Sequence, residues 1–331
     1  MIPGKISPDL LRRLVYPHLT TRPDVLVAAG IGQDSAVLDF GPHACIITCD
    51  PITGARRELG RLAVHVACND VAATGAEPVA LLLTLLLPPG SGEAELELIM
   101  REAGETAVAL GVAIVGGHTE VTPRVTDIVA VVTAVGRAES GGYLHAGGAR
   151  PGDALLVSKA AAIEGTAILA ADLAGELAGR VAPEVLARAR RFMDEVSVLS
   201  EGRAAVRAGA TAMHDVTEGG VLTAVWELAE ASGLGVELWA DAVPVRQETT
   251  AICRALGVDP LRLIGSGALL VASGDPDRTL AALAGAGVPG TRIGTMRAAG
   301  RVVRRDGREE VLVPPARDEL WRILEEVNGP A

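Results

Sequence analysis

The chain has 331 residues, 49% hydrophobic, 2% aromatic and 21% charged, and 30 Lys plus Arg against 41 Asp plus Glu give a formal charge of −11. That length suffices for two domains with substantial cores, while the acidity opposes a nucleic-acid backbone as partner and so few rings argue against reading bases by stacking. No apolar run reaches the roughly 20 residues that span a bilayer, and no charged stretch precedes an apolar one at the start of the sequence, so a cytoplasmic protein without membrane attachment is expected.

Helix-like and strand-like patterns alternate throughout, which predicts an α/β or α+β architecture. A first helix is predicted over residues 8–18, with Ser7 as N-cap and Pro8 at the first helical position, where a missing N–H is harmless. A strand over 44–49 leads into Asp50. A helix over 58–74 stops at Gly75, and Pro78 opens an aliphatic strand that runs to Leu87. Residues 93–110 read as a second long helix ended by Gly111, and 112–115 and 127–135 as largely buried strands. Small residues over 140–152 mark a boundary between predicted domains 1–147 and 148–331. The second half gives a strand at 154–158, helices near 163–177, 183–191 and 196–208, a strand at 210–213 and a helix at 218–232. Strands near 236–239 and 268–272, a helix at 277–286, a hairpin turning at Asp306-Gly307 and a last helix over 317–327 complete the pattern. Cys45, Cys49, Cys68 and Cys253 lack metal-ligand spacing and are expected as buried thiols.

Four acidic positions beside small residues are the strongest local signals. In Gly30-Ile31-Gly32-Gln33-Asp34, Gly30 and Gly32 let backbone approach a ligand and Asp34 could hold a cation, although the same string describes an ordinary turn. Asp50 ends a strand, where ligands commonly meet a sheet, but Asp before Pro51 is equally a turn starter. Asn69 and Asp70 interrupt an aliphatic helix that would be more stable without them, which asks for a reason; capping a neighbouring turn is the plainer one. Gly116-Gly117-His118-Thr119-Glu120 follows a predicted buried strand, offering oxygen donors in Thr119 and Glu120 and, in His118, a group for proton transfer or for orienting the loop. Several hard oxygen donors suit Mg2+, which would give an acidic protein its route to an anionic ligand. In the second half, Met213-His214-Asp215-Val216-Thr217-Glu218-Gly219-Gly220 joins a strand end to a helix start, which would aim N–H groups at a phosphate with Asp215 and Thr217 beside it. Lys159 could reach a phosphate or be a surface lysine. Neither GxxxxGK[ST] nor a GxGxxG between strand and helix is present.

Taken in order, the 30–37 turn, Asp50, the Asn69-Asp70 helix with its Thr74-Gly75-Ala76-Glu77-Pro78 ending, the 116–120 segment and the Asp215-to-Gly220 turn resemble the AIR synthase (PurM-like) superfamily over nearly the whole chain. The resemblance implies an α+β fold of two domains, N-terminal sheets of two subunits closing a barrel in a homodimer, and ATP with Mg2+ between the domains. It implies Asp34, Asp50, Asp70 and Glu120 as metal ligands. It places Gly30, Gly32, Asn69, Gly116, Gly117, Thr217, Gly219 and Gly220 around the nucleotide, and Asp215 and His118 at the chemistry. The shared reaction is ATP-dependent activation of a carbonyl-type oxygen by phosphorylation, dominated by positioning and charge neutralisation. The branch most similar is HypE, of hydrogenase maturation, which carries its substrate on a C-terminal cysteine. Here residues 327–331 contain none and the last cysteine is Cys253, so the expected acceptor is a small molecule or an unidentified carrier-bound thiocarbamoyl-type group. The alternatives are a small-molecule kinase of the thiamine monophosphate kinase type and a nucleotide-binding maturation partner without turnover. With so few rings, an adenine is expected to rest on aliphatic side chains and backbone.

Overall fold

The computed structural model describes residues 4–328 and consists of two mixed sheets with helices packed on them, an α+β arrangement. The first sheet holds β1 (Val25–Val27), β2 (Ala36–Phe40), β3 (His43–Ile52), β4 (Glu77–Leu87), β5 (Ala113–Val121) and β6 (Val129–Glu139), in the order β1-β2-β3-β6-β4-β5. Neighbours are antiparallel except β4 and β5, which run parallel because the helix Glu93–Leu110 carries the chain back between them. The period-two alternation of β3 puts Ala44, Ile46 and Thr48 under the buried helix Leu59–Ala73. The other face of the sheet is open and leaves Cys49 and Leu82 exposed.

The second sheet runs β13 (Arg308–Val311), β12 (Arg301–Arg305), β9 (Gly235–Trp239), β11 (Gly290–Arg297), β7 (Ala154–Ser158), β10 (Leu269–Ser273), β8 (Ala212–Asp215). Strands β7, β8 and β10 are buried on both faces. Alternate residues divide between two layers: Leu155, Val157 and Leu270 face the helix Gly220–Ala231, while Leu156, Leu269 and Val271 join a core that continues into the first domain. The helix Leu59–Ala73 meets the helix Leu199–Ala208 so closely that a Cβ on Gly202 would lie 2.2 Å from the Ala72 carbonyl oxygen.

Long, well-capped elements match their sequence signals. Gly75 and Gly111 end their helices at φ +75° and +72°, and Asp306 and Gly307 turn the β12–β13 hairpin at φ 51° and 71°, as a type I′ turn requires. Ser7 caps Leu10, but the predicted first helix breaks into Pro8–Leu10, a wider turn at Leu11–Val15 and a 3-10 turn at Tyr16–His18, because Pro17 cannot continue an α-helix. The strand predicted at 112–115 runs over Ala113–Val121 and is mostly exposed, since β5 takes the edge of its sheet, with Val112 buried just before it and Ile114 half-buried. The patterns missed β1, β2, β11 and the helix Gln247–Leu256. All four cysteines are free; Cys68 and Cys253 are buried as expected, whereas Cys45 is half-buried and Cys49 exposed. Among the described residues no helix is long and apolar enough to cross a membrane.

Candidate functional site

A cavity of about 840 Å3 opens between the domains and collects acidic side chains from distant parts of the chain. Asp34 comes from the loop before β2, Asp50 from β3, Asp70 from the helix Leu59–Ala73 and Asp215 from the end of β8. The Thr48 hydroxyl lies 2.5 Å from Asp70 Oδ2 and 3.2 Å from Asp50 Oδ2, and its one hydrogen cannot satisfy both. Burial, then the charges of Asp50 and Asp215, push Asp70 well above the usual carboxylate range; burial and then Asp34 do the same to Asp215. Asp215 Oδ2 is buried without a hydrogen-bond partner. Buried carboxylates that repel one another and leave an oxygen unpaired offer the kind of donors a hard cation could take, and ligand atoms of Asp34, His214 and Asp215 lie within 4.8 Å of one another.

One wall is held by a charged chain of contacts. His214 Nδ1 pairs with Asp34 and Nε2 lies 3.1 Å from Glu227 Oε2, both in the interior. Burial alone would lower the imidazole's pKa, but Asp34 and Glu227 raise it to about 10, so His214 is an imidazolium. Glu227, which burial would raise, is brought down to about 2 by Lys5 and His214. Deeper in, Glu164 accepts from the Ser266 N–H at 3.2 Å and Asp318 from Gly219 and Leu320 N–H at 2.5 and 2.7 Å, and burial lifts both carboxyls to about 7. Trp226, Trp321 and Tyr16 also line the cavity.

This architecture matches two domain models in succession: AIR synthase related protein, N-terminal domain, over residues 32–138, and its C-terminal domain over 150–307. The chain belongs to the AIR synthase related family. A Methanocaldococcus jannaschii protein whose name links it to hydrogenase expression and formation is 32% identical over 278 residues, 81% of this chain and 80% of that one. The carbamoyl dehydratase HypE of Rhodobacter capsulatus is 32% identical over 277 residues, 81% and 78% of the two chains. A crystal structure of the hydrogenase maturation protein HypE in complex with ATP superposes with a TM-score of 0.68 at 26% identity, covering 96% of this chain and 97% of that one.

Within this AIR synthase related chain, the cavity brings together Gly30, Gly32, Asp34, Asp50, Asp70, Asp215, Thr217 and Gly219 from the sequence-derived set. Several roles change. The amide of Asn69 bridges the domain boundary, donating to the Val196 carbonyl at 2.8 Å and accepting from the Val198 N–H at 2.9 Å, and it is fully buried and does not line the cavity. Gly32 is glycine because a Cβ would meet the Glu227 carbonyl oxygen at 2.4 Å, so it seats the loop on the second domain. The Gly219 N–H is taken by Asp318, and Gly220 packs under the Leu261 and Leu263 carbonyls, so neither aims an N–H at a phosphate. Gly116, Gly117, His118 and Glu120 lie on β5, outside the cavity; His118 and Glu120 are exposed and face each other at 3.6 Å. Lys159 is neither a phosphate ligand nor a surface residue: its ammonium donates to the carbonyls of Glu195, Ser197 and Gly267 and pairs with buried Glu201. The sequence reading passed over Lys5, His214, Glu164, Glu227 and Asp318. Glu164 sits in the first turn of its helix, where an acid is ordinary and gives no signal, and His214 stood beside Asp215. Lys5 and Asp318 had no local signal. This ring-poor chain also places two of its three tryptophans, Trp226 and Trp321, in the cavity wall.

Proposed function

We propose that this chain is an ATP-using, Mg2+-dependent enzyme of the HypE type, which phosphorylates a carbonyl or thiocarbamoyl-type oxygen and so makes it a leaving group, as a step of metallocentre maturation. The observation that carries the reading is the convergence of Asp34, Asp50, Asp70 and Asp215 from both domains on one cavity, with Asp215 Oδ2 buried and unpaired. These four carboxylates would hold Mg2+, whose charge, when bound, offsets that of the triphosphate. The chain's own residues do the rest. The His214 imidazolium fixes Asp34 in orientation and Glu227 fixes His214 in turn. Asp215, at the end of β8, would face the transferred phosphate, and Trp226 and Trp321 form part of the cavity wall. Cys253 is no carrier, since it is buried and burial pushes its thiol up to about 12.

The test is ADP release from ATP and Mg2+ with carbamoyl- and thiocarbamoyl-bearing acceptors beside thiamine monophosphate. Acceptor-dependent turnover with the former supports the proposal, and phosphorylation of thiamine monophosphate alone would make the chain a kinase. Tight ATP binding with no turnover on any acceptor would make it a binding partner. We further propose a homodimer joined through the open face of the first sheet, where Leu82 is exposed and β5 presents an unpaired edge carrying Val115 and Val121. Sedimentation that gives only the 33.9 kDa species at micromolar concentration would overturn it.

A further inference from the structure

We infer that Lys5 is a phosphate-binding residue, carried on an N-terminal strap that closes over the cavity and meets the terminal phosphate of the nucleotide. The inference rests on the ATP reading above and extends it to a segment that lies before both matched family domains.

Residues 4–18 run along the cavity, and Gly4, Lys5, Ser7, Leu11 and Tyr16 line it, yet none of the strap's own side chains is buried. It is held by polar contacts: the Lys5 N–H donates to Glu218 Oε1 at 2.8 Å and Arg12 pairs with Glu230. Such a segment has low local stability and can lift without disturbing a core. Gly4, at φ +113°, lets it pass close to Trp321 and Glu218, where a Cβ would come within 2.5 Å of the carboxylate.

Charge decides what Lys5 is for. Eight acidic side chains line the cavity, so a polyphosphate entering it meets repulsion that divalent cations only partly remove. Three basic groups line the same cavity. The terminal nitrogens of Arg317 are committed to Glu325 and to the Trp321 carbonyl, and its Nε is buried without a partner, while His214 faces Asp34 with one ring nitrogen and Glu227 with the other. The Lys5 ammonium approaches Glu227 only at 3.4 and 3.5 Å, beyond the 2.7–2.9 Å of a tight charged hydrogen bond, and its side chain is half exposed. An ammonium has three donors, so Lys5 keeps capacity for an anion placed between it and the carboxylate cluster.

The experiment measures the Kd of a non-hydrolysable ATP analogue and of AMP, each with Mg2+, on the full-length wild-type, Lys5→Met and Lys5→Arg proteins, with melting temperatures as a control of folding. Loss of one charged hydrogen bond to the terminal phosphate predicts a 10- to 100-fold weaker analogue for Lys5→Met, AMP changed less than about twofold, and recovery of most of the loss in Lys5→Arg. Equal weakening of both nucleotides would reduce Lys5 to an anchor of the strap, and unchanged binding of the analogue would remove it from the site; either result overturns the inference while the ATP reading stands. If the wild-type protein fails to bind the analogue, the functional reading itself falls.

Discussion

Two glycine-rich segments ending in an acid, Gly30 to Asp34 and Gly116 to Glu120, look alike in sequence and differ in every physical respect in the fold. The first is pressed against the second domain, with Asp34 buried and paired to His214. The second is the edge strand β5, with His118 and Glu120 in solvent. In β5 the glycines serve the sheet: Gly117, at φ +144°, would put a Cβ 1.8 Å from the Leu83 carbonyl oxygen, and the β4–β5 register shifts just before it. A glycine and an acid therefore make a site only where another part of the chain supplies the counter-charge and the walls.

Substitutions at matched positions can break that contrast. His214→Ala removes the cation between two buried carboxylates and should destabilise the protein by about 3–5 kcal/mol in urea denaturation, whereas His118→Ala, on an exposed pair, should change stability by less than about 0.5 kcal/mol; similar values would mean that the two loops are equivalent. Asp70→Asn should lower Mg2+-dependent ATP turnover by roughly 100- to 1,000-fold, with Glu120→Gln within about twofold of wild type. A loss at Glu120 as deep as at Asp70 would show that the edge strand reaches a catalytic cavity, and in this fold that cavity would belong to a second copy.

Glu164 sharpens the contrast through pH. Its carboxyl, normally near 4.5, is lifted to about 7 by burial, so the folded protein holds a proton there that the unfolded chain releases, and this contribution to stability is lost as pH rises from 4.5 through 7. In the protein without nucleotide, Glu164→Gln should gain about 3 kcal/mol relative to wild type between pH 4 and pH 8. A constant difference across that range would show that Glu164 is well solvated. The smallest effect compares neighbouring glycines in β5: Gly117→Ala should cost about 2 kcal/mol or more, and Gly116→Ala, whose methyl meets Leu82 at 3.4 Å, under about 1 kcal/mol.

Much of the site was legible because acids at the ends of apolar elements are locally unfavourable and invite a reason. Asp50 and Asp215 stood out in this way, Asp34 after a glycine turn and Asp70 inside an aliphatic helix, and all four line one cavity. The same signal misled at Asn69, whose burial serves a bond across the domains. What stayed hidden depends on topology. Residues 112–115 are apolar enough for a central strand, and only the order of strands leaves Ala113 and Val115 exposed. Lys5, Glu227 and Asp318 enter the site because the strap, the helix Gly220–Ala231 and the segment before Glu319–Asn328 pack against loops far away in sequence, which no window of neighbouring residues records.

The absence of a side chain at Gly202 governs more than a close helix crossing. Ala72, which it touches, is two residues from Asp70, and the helix bearing Gly202 belongs to the same domain as Asp215. The crossing thus acts as a spacer block that gauges the gap between carboxylates from different halves of the chain. One apolar core runs through both halves and ties them together. The arrangement of the four carboxylates is set when the protein folds, and the loosely held strap is the part that can move over the cavity.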